Sequence, residues 1–254
     1  MKSVFIANLK QNCKNQVFLI SVLAVPVLIF LSQVDQLAEI LRKGEELYYG
    51  YGFRFWQDGL SGDSIRFVLP VICALPCAAG LVDDKKSGAI KGILPRCGRM
   101  NYILGKIFAC SVCGFLVILL GALLAGVISV LGFSFLEQEA MEGESLRSGL
   151  LAAVPGLLLV GLSGSLWASV GMLISGLTGS RYVAFLSPFI AYYLLIILYE
   201  RYFDHLQILY PLAWLDPMGG LPYGFWGAVV WVIELWMMVL LLFVWLIKRQ
   251  LENM

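Results

Sequence analysis

The chain has 254 residues, of which 60% are hydrophobic and 14% charged, with a formal net charge of +1. Its mean hydropathy is +0.84. A soluble domain of this length needs far more charge on its surface, so the composition points to an all-α membrane protein forming a single transmembrane domain over residues 1–254.

Residues 1–16 are polar, yet Phe5, Ile6, Leu9 and Cys13 fall near one helical face while Lys2, Lys10 and Lys14 lie elsewhere. The pattern fits an interfacial amphipathic helix whose lysines meet anionic lipid, or else a disordered basic tail. The first apolar run follows at about 17–34. It ends in Phe30-Leu31-Ser32-Gln33 without a small-x-small cleavage pattern, so it reads as a retained span rather than a signal peptide. The loop at 35–64 holds an acidic, helix-compatible stretch and then an aromatic cluster from Tyr48 to Trp56. Such a cluster either anchors at the membrane interface or binds an amphipathic ligand.

A second span is expected at about 65–82, with Arg66 snorkelling to the interface. The loop at 83–104 follows, the one sizeable loop on its side of the membrane. Ser87 is placed to cap a short helix through Ile90, Lys91, Ile93 and Leu94, which Pro95 would stop. Ile90, Ile93 and Leu94 then form an apolar knob suited to a socket on another protein. The plainer reading is a basic loop that only sets topology.

Spans three and four, about 105–135 and 149–177, exceed the roughly 20 residues that cross 30 Å of hydrocarbon. Tilt or extension beyond the bilayer accounts for the excess. Both carry small residues at i,i+4 spacing, Gly121-x-x-x-Ala125-x-x-x-Ser129 and Gly161-x-x-x-Ser165-x-x-x-Ser169, which lets helices approach closely. Pro26, Pro70, Pro76 and Pro188 are placed to kink their spans. A fifth span is expected at about 182–199. Residues 200–224 are apolar for a loop and broken by prolines and glycines, which fits short helices re-entering the membrane before the last span at about 224–247. Glu234 is the one acid within a span. It is read either as a substrate-pathway site for a cationic group or a proton, or as a structural acid between helices.

Six spans follow, and lysine and arginine orient them. With the amino terminus inside, Lys2, Lys10, Lys14, Lys85, Lys86, Lys91, Arg96, Arg99, Lys106, Arg181, Lys248 and Arg249 all fall in the cytoplasm, 12 of the 18 basic residues. That bias places both termini in the cytoplasm. None of the six cysteines lies in an extracytoplasmic loop, and Cys110-x-x-Cys113 without a second pair reads as helix packing. There is no phosphate-binding Gly-x-x-x-x-Gly-Lys-Ser/Thr and no His-Glu-x-x-His, so neither ATP hydrolysis by that route nor zinc chemistry is expected of the chain.

The layout resembles the permease subunits of ABC-2 type (type V) ABC exporters. The resemblance rests on Asp83-Asp84-Lys85-Lys86-Ser87-Gly88-Ala89-Ile90, then Arg99-Met100-Asn101-Tyr102-Ile103-Leu104-Gly105-Lys106, similar to the family's "Arg-x-x-Tyr-x-x-Gly-Lys", and on Tyr210 to Leu215 before the last span. Ala89 replaces a residue that is usually polar. The resemblance implies a non-catalytic permease of the cytoplasmic membrane, paired with a second permease chain, identical or paralogous. A separate P-loop ATPase would bind ATP and Mg, with no cofactor on this chain and no nucleic-acid partner. Ser87, Ile90, Lys91, Ile93, Leu94 and Arg99 would form the ATPase-coupling element. The cargo would be a peptide, a drug or another amphipath, in the bacteriocin-immunity or drug-export branch by analogy. A membrane scaffold or sensor subunit, or a secondary transporter, is the alternative; for the last, neither inverted repeats nor several membrane acids are evident.

Overall fold

The computed structural model describes residues 2–43, 47–137, 146–216, 221 and 224–252. Among them the chain is all-helical apart from turns and one isolated bridge between Leu47 and Glu137. Helices α1 (Lys2–Lys14) and α2 (Gln16–Ser32) meet at a 62° bend. Asn15 makes the corner: its backbone is extended and its side-chain oxygen accepts the Val17 amide at 3.1 Å, capping α2. Helices α3 (Val34–Lys43) and α4 (Tyr51–Leu60) follow, then α5 (Asp63–Ala74), α6 (Gly80–Lys86) and α7 (Ala89–Cys97). The long helices are α8 (Arg99–Phe133), α9 (Leu146–Thr178), α10 (Arg181–Tyr202) and α11 (Gly224–Glu252). Two 3₁₀ turns, Gln207–Leu209 and Ala213–Leu215, lie between α10 and α11.

Four segments are long and apolar enough to cross a membrane: Arg99–Phe133, Ala153–Thr178, Arg181–Tyr202 and Gly224–Glu252. The bent pair α1–α2 makes a fifth if taken as one span. The stretch expected to form the second span is instead broken into α5 and α6 by turns over 75–79. Pro76 is the physical cause, because it has no N–H to give to the carbonyl of Ile72. The break is held from outside: Ser175 Oγ donates to the Ala78 carbonyl at 2.9 Å, and Cys77 Sγ lies 3.6 Å from the Cys110 carbonyl of α8. By contrast, Pro26, Pro70 and Pro188 sit inside continuous helices. The broken segment is deeply enclosed, with Leu69, Cys73, Ala74, Cys77, Ala78 and Leu81 all fully buried.

Helix α9 packs on α8, α10, α11 and α5. It comes close to α8 at Gly114 and Gly164, where a β-carbon on Gly114 would sit 2.6 Å from the Gly164 carbonyl oxygen. This pairing was not legible beforehand. Of the two stripes singled out in the sequence, Gly121 meets Val22 and Val25 of α2, and Gly161 meets Phe115. Small hydroxyls point inward, with Ser21, Ser111, Ser129, Ser163, Ser169, Ser175 and Ser187 buried. Large apolar side chains point outward, among them Leu19, Leu23 and Val27 on α2, Leu186, Ile190 and Leu194 on α10, and Val230, Leu241 and Trp245 on α11. So much outward-facing hydrocarbon suits a lipid solvent and not water.

The aromatic cluster from Tyr48 to Trp56 is divided: its last two rings are packed inside the bundle, while Tyr48 stays exposed. Phe55 and Trp56 are buried, and Trp56 Nε1 donates to the Ala122 carbonyl at 2.8 Å. Glu137 holds the start of α4, accepting the amides of Gly50 at 3.0 Å and Gly52 at 2.7 Å, where a carboxylate meets the positive end of the helix. After α10 the chain folds back against α9 and α11. Trp214 is buried there, stacked on Trp167 with ring centroids 6.2 Å apart, and Tyr210 stacks on Tyr199 at 4.5 Å.

Candidate functional site

The segment Asp83-Asp84-Lys85 ties one end of the bundle together. Asp84 Oδ2 accepts two bonds, from Tyr102 Oη at 2.6 Å and from Lys106 Nζ at 2.6 Å. Lys106 also donates to Asn8 Oδ1 at 3.0 Å. One carboxylate thereby joins α6 to α8 and, through Lys106, to α1. Lys85 Nζ donates to the Gly176 carbonyl at 2.9 Å and to Gln250 Oε1 at 2.6 Å, reaching the last turns of α9 and α11. Burial lowers the Lys85 ammonium below its ordinary value, so those two oxygens hold a cation that is partly stripped of water. Asp83 pairs with Arg181 at the start of α10. Three consecutive residues thus reach five helices, and the start of α1 and the end of α11 lie at this same end.

The pairs are not equal. The side chains of Lys106 and Asp84 are 6% and 14% exposed, whereas Arg181 and Asp83 are 58% and 43% exposed. An exposed pair is worth about 0–1 kcal/mol. Removing one partner of a buried pair costs about 3–5 kcal/mol, because the other charge is stranded. Asp84–Lys106 is therefore the joint, and Asp83–Arg181 a surface trim.

The spacing Arg99-x-x-Tyr102-x-x-Gly105-Lys106 now has a physical reason. Tyr102 and Lys106 are four apart, on one face of α8, and both reach Asp84. Gly105 lets α1 cross: a β-carbon there would sit 2.9 Å from Val4 Cγ1. Helix α1 consequently lays Val4, Phe5, Asn8, Leu9 and Cys13 toward α8 and turns Ile6 outward, 59% exposed. Ile6 thus leaves the face assigned to it from the sequence.

Helix α7 hangs from this joint between two left-handed glycines, Gly88 at φ 72° and Gly98 at φ 78°. Its start differs from the expectation. Gly88 is the N-cap, while Ser87 ends α6 with its hydroxyl 3.4 Å from the Asp84 carbonyl. Pro95 does not stop the helix, which continues to Cys97 and closes at Gly98, whose amide donates to the Leu94 carbonyl at 2.9 Å. A residue with φ near +75° ends a helix more surely than a proline placed after the first turn.

The orientation of α7 also differs. Ile90 is buried, and Ile93 and Leu94 are half-buried against the chain's own core, so the apolar knob faces inward. What α7 and its flanks present outward is basic: Lys86, Lys91, Arg96 and Arg99, with Gly92, Pro95 and Met100 between them. Of the residues proposed for coupling, Lys91 and Arg99 are surface groups, Ser87 is exposed, and Ile90, Ile93 and Leu94 are the anchor beneath. Asp84, Lys85, Tyr102 and Lys106 were not singled out as a joint. The available signal was four polar groups kept at the ends of apolar spans.

Glu234 stands apart from this end. It lies on an outward face of α11, lining a groove of about 420 Å³ with Ile208, Leu221, Trp226, Val230 and Trp231. The expectation of an acid packed between this chain's helices is not met. A second cleft of about 370 Å³ between α8, α9 and α11 is lined mainly by apolar side chains together with Ser111 and Ser165. Behind it Ser111 shares a hydrogen bond of 2.8 Å with Ser169 and accepts Trp236 Nε1 at 3.0 Å. Among the described residues no three His, Cys, Asp or Glu side chains are grouped to hold a metal. Neither a protein-family model nor a curated protein matches the chain.

Proposed function

We propose that the chain is the membrane-spanning permease subunit of an ATP-driven exporter of the ABC-2 kind. In this reading it crosses the cytoplasmic membrane six times, by α2, the broken α5–α6 segment, α8, α9, α10 and α11. Both termini are cytoplasmic, and the chain dips back into the membrane between α10 and α11. It pairs with a second permease chain and receives force from a separate P-loop ATPase, which alone binds ATP and Mg. Its cargo is a peptide, a drug or another amphipath.

One observation carries the reading. Among the described residues, the only loop of size at the joint end is a basic helix, α7, set between two glycine pivots and joined through Asp83-Asp84-Lys85 to five other helices. A push on α7 therefore reaches most of the bundle without passing through a flexible linker. The chain's lack of a phosphate loop agrees with an energy source on another subunit. The basic outer face of α7 suits an acidic dock, where charge complementarity sets register and association rate.

The test is co-purification with a candidate P-loop ATPase encoded beside this chain, using Lys91→Glu combined with Arg96→Glu. Both side chains are exposed, so the variant should still purify as a folded chain. The expected result is that captured ATPase falls about tenfold or more. If complex and ATPase activity both survive the double substitution, α7 is not the coupling element.

A further inference from the structure

We infer that the groove along the outer half of α11 is a binding site for a bulky hydrophobic cation, with Glu234 as its counter-charge. Trp226, Val230, Trp231 and Glu234 recur along one face of α11, and Ile208 and Leu221 supply the facing wall. Ile208 is tied to the bundle: Trp214 Nε1 donates to its carbonyl at 2.9 Å, and Trp214 is itself buried against Trp167.

Its chemistry selects the ligand. Glu234 has no hydrogen-bond or ion partner among the described residues, and it faces outward on a helix whose neighbours on that face are apolar. An ionised carboxylate directed at hydrocarbon is costly, so it needs either a counter-charge or a cover. Two indole rings lie within three and eight residues of it on the same face, and the face of tryptophan is the best aromatic surface for a cation. A small metal ion would have to exchange its water shell for a single carboxylate among apolar walls. An anion meets like charge. An organic cation whose charge is spread over apolar bulk satisfies carboxylate, rings and walls together. Calling that cation the cargo rests on the export reading; its binding does not.

The experiment uses the purified full chain, without any ATPase, and radiolabelled tetraphenylphosphonium, with tetraphenylborate as a probe of the same shape and opposite charge. The wild type should bind the cation and not the anion. Glu234→Gln should lower cation affinity about tenfold, and Trp231→Ala similarly. In native membranes, tetraphenylphosphonium should protect Val230→Cys from a maleimide. Equal binding of both probes by the wild type, a result that needs no variant, would overturn the inference. So would full affinity in Glu234→Gln. Copy-to-copy disulfide formation by Val230→Cys, unaffected by the cation, would assign the groove to a second chain instead. Failure of the wild type itself to bind the cation, with capture of the ATPase through Lys91 and Arg96 intact in the co-purification test, would sink this site and leave the export reading standing.

Discussion

Asp84 and Lys106 carry more of the structure than their number suggests. Each is nearly enclosed, and each has further polar partners, Tyr102 on one side and Asn8 on the other. A buried ion pair gains little over an apolar pair but is expensive to break on one side. Asp84→Asn and Lys106→Met should each lower the thermal midpoint of the detergent-purified chain, by the equivalent of about 3–5 kcal/mol. The double variant should lose clearly less than the sum, because no charge is then stranded. Strict additivity in that cycle would show that the two do not act as a pair. These residues were visible in the sequence as part of a motif. Their meeting was not, since 22 residues separate them and only the return of the chain through α7 brings them together.

For the helices, what could be read in advance depended on whether a local signal decided the outcome. Asn15 ends one helix and caps the next, and the chain turns there. Pro76 breaks the second apolar run, whereas Pro26, Pro70 and Pro188 do not break theirs. The difference is tertiary: at the Pro76 break, Ser175 of α9 takes the Ala78 carbonyl, and burial on every side supports the irregular backbone. The faces of α1 and α7 were equally beyond periodicity. Hydrophobic spacing marks an apolar face without saying whether protein or lipid covers it. Gly105 sets the seat of α1, and Gly105→Val should lift it from α8 by a clash with Val4. Cys13, half-buried in that contact, should then react several-fold faster with a maleimide in detergent, about the effect of exposing a partly covered thiol. An unchanged rate would mean that α1 is held elsewhere.

For the molecule as a whole, topology is the property most open to direct test. Tyr48 is 49% exposed at the α4 end, and Cys97 is a partly exposed native thiol at the opposite, α7 end. A membrane-impermeant maleimide applied to intact cells should label Tyr48→Cys and spare Cys97 until the membrane is opened. The reverse pattern would invert the orientation proposed from the basic residues. By itself, the sequence determined that the chain is helical and apolar, where its long runs begin and end, and that its basic residues gather on one set of loops. Each of these follows from composition, period or local capping, which act within a few residues. Tertiary structure alone decided that Asp83-Asp84-Lys85 ties five helices, that the aliphatic side of α7 points inward, and that Glu234 faces out into a groove it shares with two tryptophans. Those outcomes depend on which face of each helix is covered by a neighbour distant in sequence. No local pattern carries that information, because a buried protein face and a lipid face are both apolar.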